Sequence, residues 1–193
     1  MKVSEKKIIK CTAKDIQFPI EVLNCWNLNE LEIIGGNFSY CPEDFSILKN
    51  LHKLTINNTK INHFPIEIFE LPNLNYLNLK NNSIENLPCL SIKRKLKTLI
   101  LGKNQISKLN HFLYYFPKLT TLDLGQNEFN EIPNDIIYLK DLQRLNLEGN
   151  LLNSLPKFLK DLKKLNHLSI LNNPFSKSEI ENIEKEFHVK ITD

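Results

Sequence analysis

Leu119-Thr120-Thr121-Leu122-Asp123-Leu124-Gly125-Gln126-Asn127-Glu128-Phe129-Asn130-Glu131-Ile132-Pro133 decides the fold, because the chain says it again and again. The next copy supplies Leu142, Leu145, Leu147, Asn150, Leu152, Leu155 and Pro156 at the same offsets. Seven copies align on Leu28, Leu51, Leu74, Leu96, Leu119, Leu142 and Leu165, each 22 or 23 residues from the last. A fixed period in this range signals stacked structural units.

Leucines at the fourth and sixth positions, with one polar residue between them, have the period-2 alternation of a short strand. One unit cannot bury its own apolar face, whereas stacked copies join their strands into a parallel sheet over one continuous core. The ninth position holds Asn82, Asn104, Asn127, Asn150 and Asn173. A buried turn leaves backbone groups unpaired, and an asparagine amide carries both the donors and the acceptor to pair them. Gly36 and Thr59 stand in that column in the first two copies, so the ladder is expected to be weaker toward the N-terminus.

The full pattern, L-x-x-L-x-L-x-x-N-x-L-x-x-L-P, resembles the leucine-rich repeat family over residues 28 to about 175. It is most similar to the bacterial 23-residue subclass abundant in spirochaetes, whose LPxxIxxLxxL half is matched by Ile136, Leu139 and Leu142 after Pro133. The resemblance implies an α/β fold: a curved solenoid with a parallel sheet inside and short helical or irregular segments outside. It also implies a non-enzymatic module that binds another protein. In pathogenic bacteria, such proteins are often proposed to meet host components.

A single domain is expected, with residues 1–27 as a cap and partial repeat, 28–175 as seven repeats and 176–193 as a capping helix and tail. Phe18-Pro19-Ile20-Glu21-Val22 reads as the second half of an incomplete repeat, and residues 3–11 as a capping strand. At the other end Ser176-Lys177-Ser178-Glu179 is a capping-box pattern. Ile180, Ile183 and Phe187 then share one helix face that should cover the last repeat.

Composition agrees. Of 193 residues, 32 are Leu and 26 Asn, a pairing of core former and backbone satisfier that compact enzymes rarely lean on. The 41% hydrophobic content excludes a disordered chain. Lys and Arg number 12 against 10 Asp and Glu over residues 1–96, and 13 against 12 thereafter. Without a basic half to track a phosphate backbone, nucleic acid is not an expected partner. No run reaches the roughly 18 apolar residues of a membrane span. Met1–Lys10 lacks the apolar stretch of a signal peptide. The expected location is therefore the cytoplasm, or outside the cell if an export signal has been removed. Cys11, Cys25, Cys41 and Cys89 have no CxxC spacing. Cys25 and Cys41 read as small buried hydrophobes, with a Cys11–Cys25 disulfide as the alternative.

Residues between the strand leucines should point across the concave face. The third column is Glu30, Lys53, Tyr76, Thr98, Thr121, Arg144 and His167. The fifth is Glu32, Thr55, Asn78, Ile100, Asp123, Asn146 and Ser169. The seventh is Ile34, Asn57, Lys80, Gly102, Gly125, Glu148 and Leu171. Strands about 4.8 Å apart make this face roughly 29 Å long, large enough for a whole protein interface. Tyr76, Lys80, Ile100 and Arg144 are the expected anchors, since Tyr and Arg are enriched in interface hot spots. A monomer is expected. A convex homodimer through Tyr114, Tyr115, Ile137 and Tyr138 is the alternative, and glycan binding is a third reading resting on one concave tyrosine.

Catalytic chemistry finds little support. Glu30 and Glu32 sit two residues apart on an open rim, with no pocket to raise one pKa. His167 and Ser169 are separated along one strand by about 6.7 Å, too far for a nucleophile–base hydrogen bond. Cys89 and His111 share the sixteenth position in adjacent repeats, but two ligands fall short of a zinc site, so no metal is expected. No cofactor is expected either: Gly35-Gly36 is not followed by GK[ST]. The shortened third repeat carries Lys93-Arg94-Lys95, and the fourth has Asn110 in place of Pro; both predict bent loops, the first attractive to an acidic partner.

Overall fold

The structure, a computed structural model, describes residues 8–12 and 17–187. Eight strands form one sheet in sequence order, all parallel and unclosed. They are β1 Ile8–Thr12, β2 Glu30–Ile34, β3 Lys53–Asn57, β4 Tyr76–Asn78, β5 Thr98–Ile100, β6 Thr121–Asp123, β7 Arg144–Asn146 and β8 His167–Ser169. The register is the sequence alignment itself: Glu30, Lys53, Tyr76, Thr98, Thr121, Arg144 and His167 are successive neighbours across the sheet.

The fourth- and sixth-position side chains point inward. Leu54, Leu77, Leu99, Leu122 and Leu145 are completely buried, as are Ile56, Leu79, Leu101, Leu124 and Leu147. On the convex side the chain tightens into 3-10 turns at Ile20–Asn24, Glu43–Ile47, Ile66–Glu70, Asn134–Tyr138 and Lys157–Asp161. Each follows a proline, whose fixed φ and missing N–H suit it to the start of a turn. The fourth repeat has no proline at that position, and its turn, Phe112–Tyr115, is entered through two left-handed residues, Asn110 (φ 46°) and His111 (φ 62°).

The asparagine column is a hydrogen-bond ladder that crosses every repeat boundary from β3 onward. Asn127 Nδ2 donates to Leu124 O of its own repeat and Leu101 O of the one before, both at 3.0 Å, while its Oδ1 accepts from Ile106 N–H at 3.0 Å. Asn104, Asn150 and Asn173 repeat the arrangement with Leu79, Leu124 and Leu147. Leu101 O thus receives amides from both Asn104 and Asn127.

At Thr59 the ladder continues through a hydroxyl, which accepts from Ile61 N–H and donates to Asn82 Oδ1. Thr59 therefore relays the bond that the expected gap would have broken. Gly36 contributes no side chain, so the weaker rung is confined to the first repeat.

The third repeat lacks a convex turn altogether. Phe64 and Phe69 of the second repeat instead meet Phe112 and Phe116 of the fourth, with ring centroids 5.2 Å (Phe64–Phe112) and 5.4 Å (Phe69–Phe116) apart. Four rings close the core beneath a loop too short to do so.

At the C-terminal end α1, Lys177–Phe187, opens with Ser176 Oγ accepting Glu179 N–H at 3.1 Å. The Glu179 carboxylate does not complete a box within the helix but accepts from Leu155 N–H at 3.3 Å, pinning α1 to the last full repeat. Ile183 is buried, and Lys160 pairs with Glu186 at 3.0 Å. The expected N-terminal strand is seen as β1; residues 3–7, the Cys11 side chain with its alternative disulfide, and the tail 188–193 lie outside the described residues. Cys25 is buried, Cys41 is a buried free thiol pushed above the ordinary range by desolvation, and Cys89 is an exposed one.

The ladder gives a graded prediction. Asn127→Ala orphans the buried Ile106 N–H and removes the amide that donates to Leu101 O and Leu124 O, so it is expected to lower stability by about 3 kcal/mol. Asn173→Ala, at a half-exposed rung, is expected to cost about 1 kcal/mol. Urea denaturation of both variants checks the ordering.

Candidate partner-binding face

The open face of the sheet divides into three zones. At the N-terminal edge the charges are already paired. Lys10 Nζ lies 2.8 Å from Glu32, which raises the Lys10 pKa by hydrogen bonding and Coulomb attraction. Lys53 lies 3.8 Å from Glu30 and also stands 5.2 Å over the Tyr76 ring. Thr55, the neighbour of Glu32 across the sheet, is buried.

In the fifth column, side chains expected to meet a partner fold back on their own strands. Asn78 Oδ1 accepts from Lys80 N–H at 2.9 Å, Asp123 Oδ1 from Gly125 N–H at 2.9 Å, and Asn146 Oδ1 from Glu148 N–H at 3.0 Å. Each is a local turn in which a short polar side chain mimics a backbone partner. Asn146 Nδ2 also donates to Asp123 Oδ1 at 2.8 Å, tying two repeats together.

The glycines of the seventh column make room for these bonds. A Cβ on Gly125 would come within 2.7 Å of Asn146 Nδ2, and one on Gly102 within 3.1 Å of Asp123 Oδ1. Sequence reading had no such role for Gly102 and Gly125; the signal was the pairing of a short polar fifth position with glycine two residues on. The eighth column was missed as well. Asn58, Asn81, Lys103, Gln126 and Asn172 all adopt left-handed φ values of 54–57°, where the chain leaves the strand. Asparagine tolerates that conformation best among residues with a Cβ.

What stays available is the third column with Ile100. Tyr76, Thr98, Thr121 and Ile100 are half-buried on a continuous surface, and Arg144 and His167 are exposed beyond them. Among the described residues neither Arg144 nor His167 forms an ion pair. Lys80, two residues beyond the end of β4, is half-buried. Over the three columns Lys53, Lys80 and Arg144 stand against Glu30, Glu32, Asp123 and Glu148, so the face carries no basic excess.

Elsewhere, His111 Nδ1 lies 3.1 Å from Asp135 Oδ1 of the next repeat. Of the convex aromatics, Tyr114 and Tyr138 are exposed and pack edge-to-face at 5.3 Å; Tyr115 and Ile137 are half-buried, and Phe69 belongs to the core. No described helix is long and apolar enough to cross a membrane.

The leucine rich repeat family profile matches residues 49–106, 94–152 and 117–175, about two thirds of the sequence. The chain belongs to the leucine-rich repeat family. An internalin from Listeria monocytogenes is similar in structure, with a TM-score of 0.70 at 22% identity over 83% of this chain and 46% of its own. A leucine-rich repeat protein of Leptospira interrogans gives a TM-score of 0.65 at 25% identity, covering 99% of this chain and 62% of its own. TLR13, solved in complex with a single-stranded RNA, gives a TM-score of 0.73 at 27% identity over 89% of this chain and 25% of its own. This chain thus spans less than two thirds of the length of each of these structures. No curated protein sequence matches it significantly. Members of the family are commonly protein–protein interaction modules, and their bacterial representatives share this solenoid.

The division of labour on the face is testable by melting. Asp123→Ala removes two hydrogen bonds at about 1 kcal/mol each and is expected to lower the Tm by about 4 °C. Arg144→Ala, exposed and unpaired, is expected to move it by less than about 1 °C.

Proposed function

We propose that this chain is a non-enzymatic module that binds another protein through its concave face. Supporting this reading, Tyr76, Ile100, Thr98, Thr121 and Arg144 form one continuous surface whose side chains are not consumed by the repeat scaffold. A rigid parallel sheet presents them at fixed spacing, which cuts the ordering cost of binding. Tyr76 and Arg144 supply the residue types that dominate interface energies, while Lys80 and His167 give a polar rim.

Protein is preferred over RNA as the partner. The TLR13 complex holds RNA, but this face has more carboxylates than cations, and counterion release needs a cationic track. A host component as that partner is our reading of the likeness to bacterial leucine-rich repeat proteins. The non-enzymatic reading is supported by the pairing of Glu30 and Glu32 with lysines on an open surface, where no desolvated carboxyl awaits a proton.

The experiment is an affinity capture from bacterial and host lysates with wild type and Tyr76→Ala/Ile100→Asp/Arg144→Ala as parallel baits. A protein retained by wild type and lost by the triple variant, at an unchanged melting temperature, is the expected outcome. Capture of the same protein by both baits would overturn the concave assignment. A second reading, self-association, rests on the exposed Tyr114–Tyr138 pair. Light scattering is expected to give a monomer for wild type and for Tyr114→Glu/Tyr138→Glu; a wild-type dimer dissociated by that variant would favour the convex face.

A further inference from the structure

The loss of the third convex turn leaves a cleft of about 240 Å³ on the outer side of the solenoid. Its floor is apolar: Phe69, Leu71, Leu74 and Leu96, each nearly fully buried, with Pro72 exposed at the rim. Its other wall is Lys93-Arg94-Lys95. The loop is held against the fourth repeat by Arg94 N–H donating to Tyr115 O at 2.7 Å, so this wall has a fixed position.

Within the wall the three cations are differently engaged. Lys93 Nζ sits 4.7 Å over the Tyr114 ring. Lys95 is exposed. Arg94 is half-buried, and its Nε is fully buried without a hydrogen-bond acceptor. Among the described residues none of the three has a carboxylate partner. The rest of the Arg94 side chain is partly open, and a carboxylate is the acceptor whose planar geometry suits a guanidinium best.

The volume narrows the occupant. Pockets for whole small molecules run from roughly 300 to 1,000 Å³. This cleft is smaller, fit for a single large side chain, and Lys93, Arg94 and Lys95 line it. We propose that the cleft docks an acidic segment of a partner protein, which inserts one large apolar side chain between Phe69, Leu74 and Leu96 and sets neighbouring carboxylates on Arg94 and Lys95. The site lies on the opposite face from Tyr76, Ile100 and Arg144, and it stands whether or not the concave reading does.

Fluorescence anisotropy with the labelled hexapeptide EDEFED provides the test. Wild type is expected to bind it at least about tenfold more tightly than EDEAED, and KRKFKR not at all, with affinity falling as salt rises. Arg94→Gln/Lys95→Glu is expected to weaken EDEFED by about tenfold or more, and so is Lys95→Glu alone, whose exposed side chain leaves folding intact. The concave triple variant is expected to bind as wild type does, which separates this site from that face. The proposal is overturned if EDEFED does not bind below about 1 mM, if EDEAED binds equally, or if Lys95→Glu binds unchanged. It is overturned equally if phosphatidylserine vesicles displace the peptide from the wild type, because the cations would then serve a lipid surface.

Discussion

Each ninth-position asparagine is shared between two repeats, and the rest of the solenoid depends on that sharing. The amide of Asn150 holds Leu147 O of its own turn and Leu124 O of the preceding one, while its oxygen takes Phe129 N–H. These groups lie in the interior, where an unpaired backbone N–H or C=O costs as much as a lost hydrogen bond. No repeat can therefore satisfy its own backbone. Each needs the next, which makes stability a sum of neighbour interfaces. Thr59 shows the requirement at its least: a hydroxyl serves where the amide is missing, because it can accept and donate at once.

That constraint also sorts the open face into scaffold and surface. Asn78, Asp123 and Asn146 stand on the open face, yet their oxygens are committed to N–H groups two residues on. Gly102 and Gly125 are small because those side chains lie across them. The set of spare outward side chains is accordingly narrower than the three columns. It consists of side chains that no repeat needs for itself, and such residues are free to differ from copy to copy.

The third repeat shows what an irregular copy costs and permits. Without a convex turn its core share is filled by Phe64, Phe69, Phe112 and Phe116 from the repeats on either side. Large rings can reach across the gap where leucines could not, since an aromatic side chain carries more buried area at fixed geometry. The loop is then released from packing duty, and its three cations lie over an apolar cleft instead of over more core.

The sequence by itself determined the architecture: strand position, register, inward leucines, asparagine ladder and proline-initiated turns all follow from a period repeated seven times. Local spacing suffices there, because every repeat solves the same burial problem with the same residues. The C-terminal cap was legible from Ser176 onward for a similar reason. Only the tertiary structure decided which outward residues were spare. Whether Asp123 faces a partner or its own backbone depends on the absence of a Cβ at Gly125 and on Asn146 one repeat away, neighbours 2 and 23 residues distant in the chain. The bridging of the third repeat by four phenylalanines, and the cleft it leaves beside Arg94, were hidden likewise. They arise from contacts between repeats that are not adjacent in sequence, and no periodicity records those.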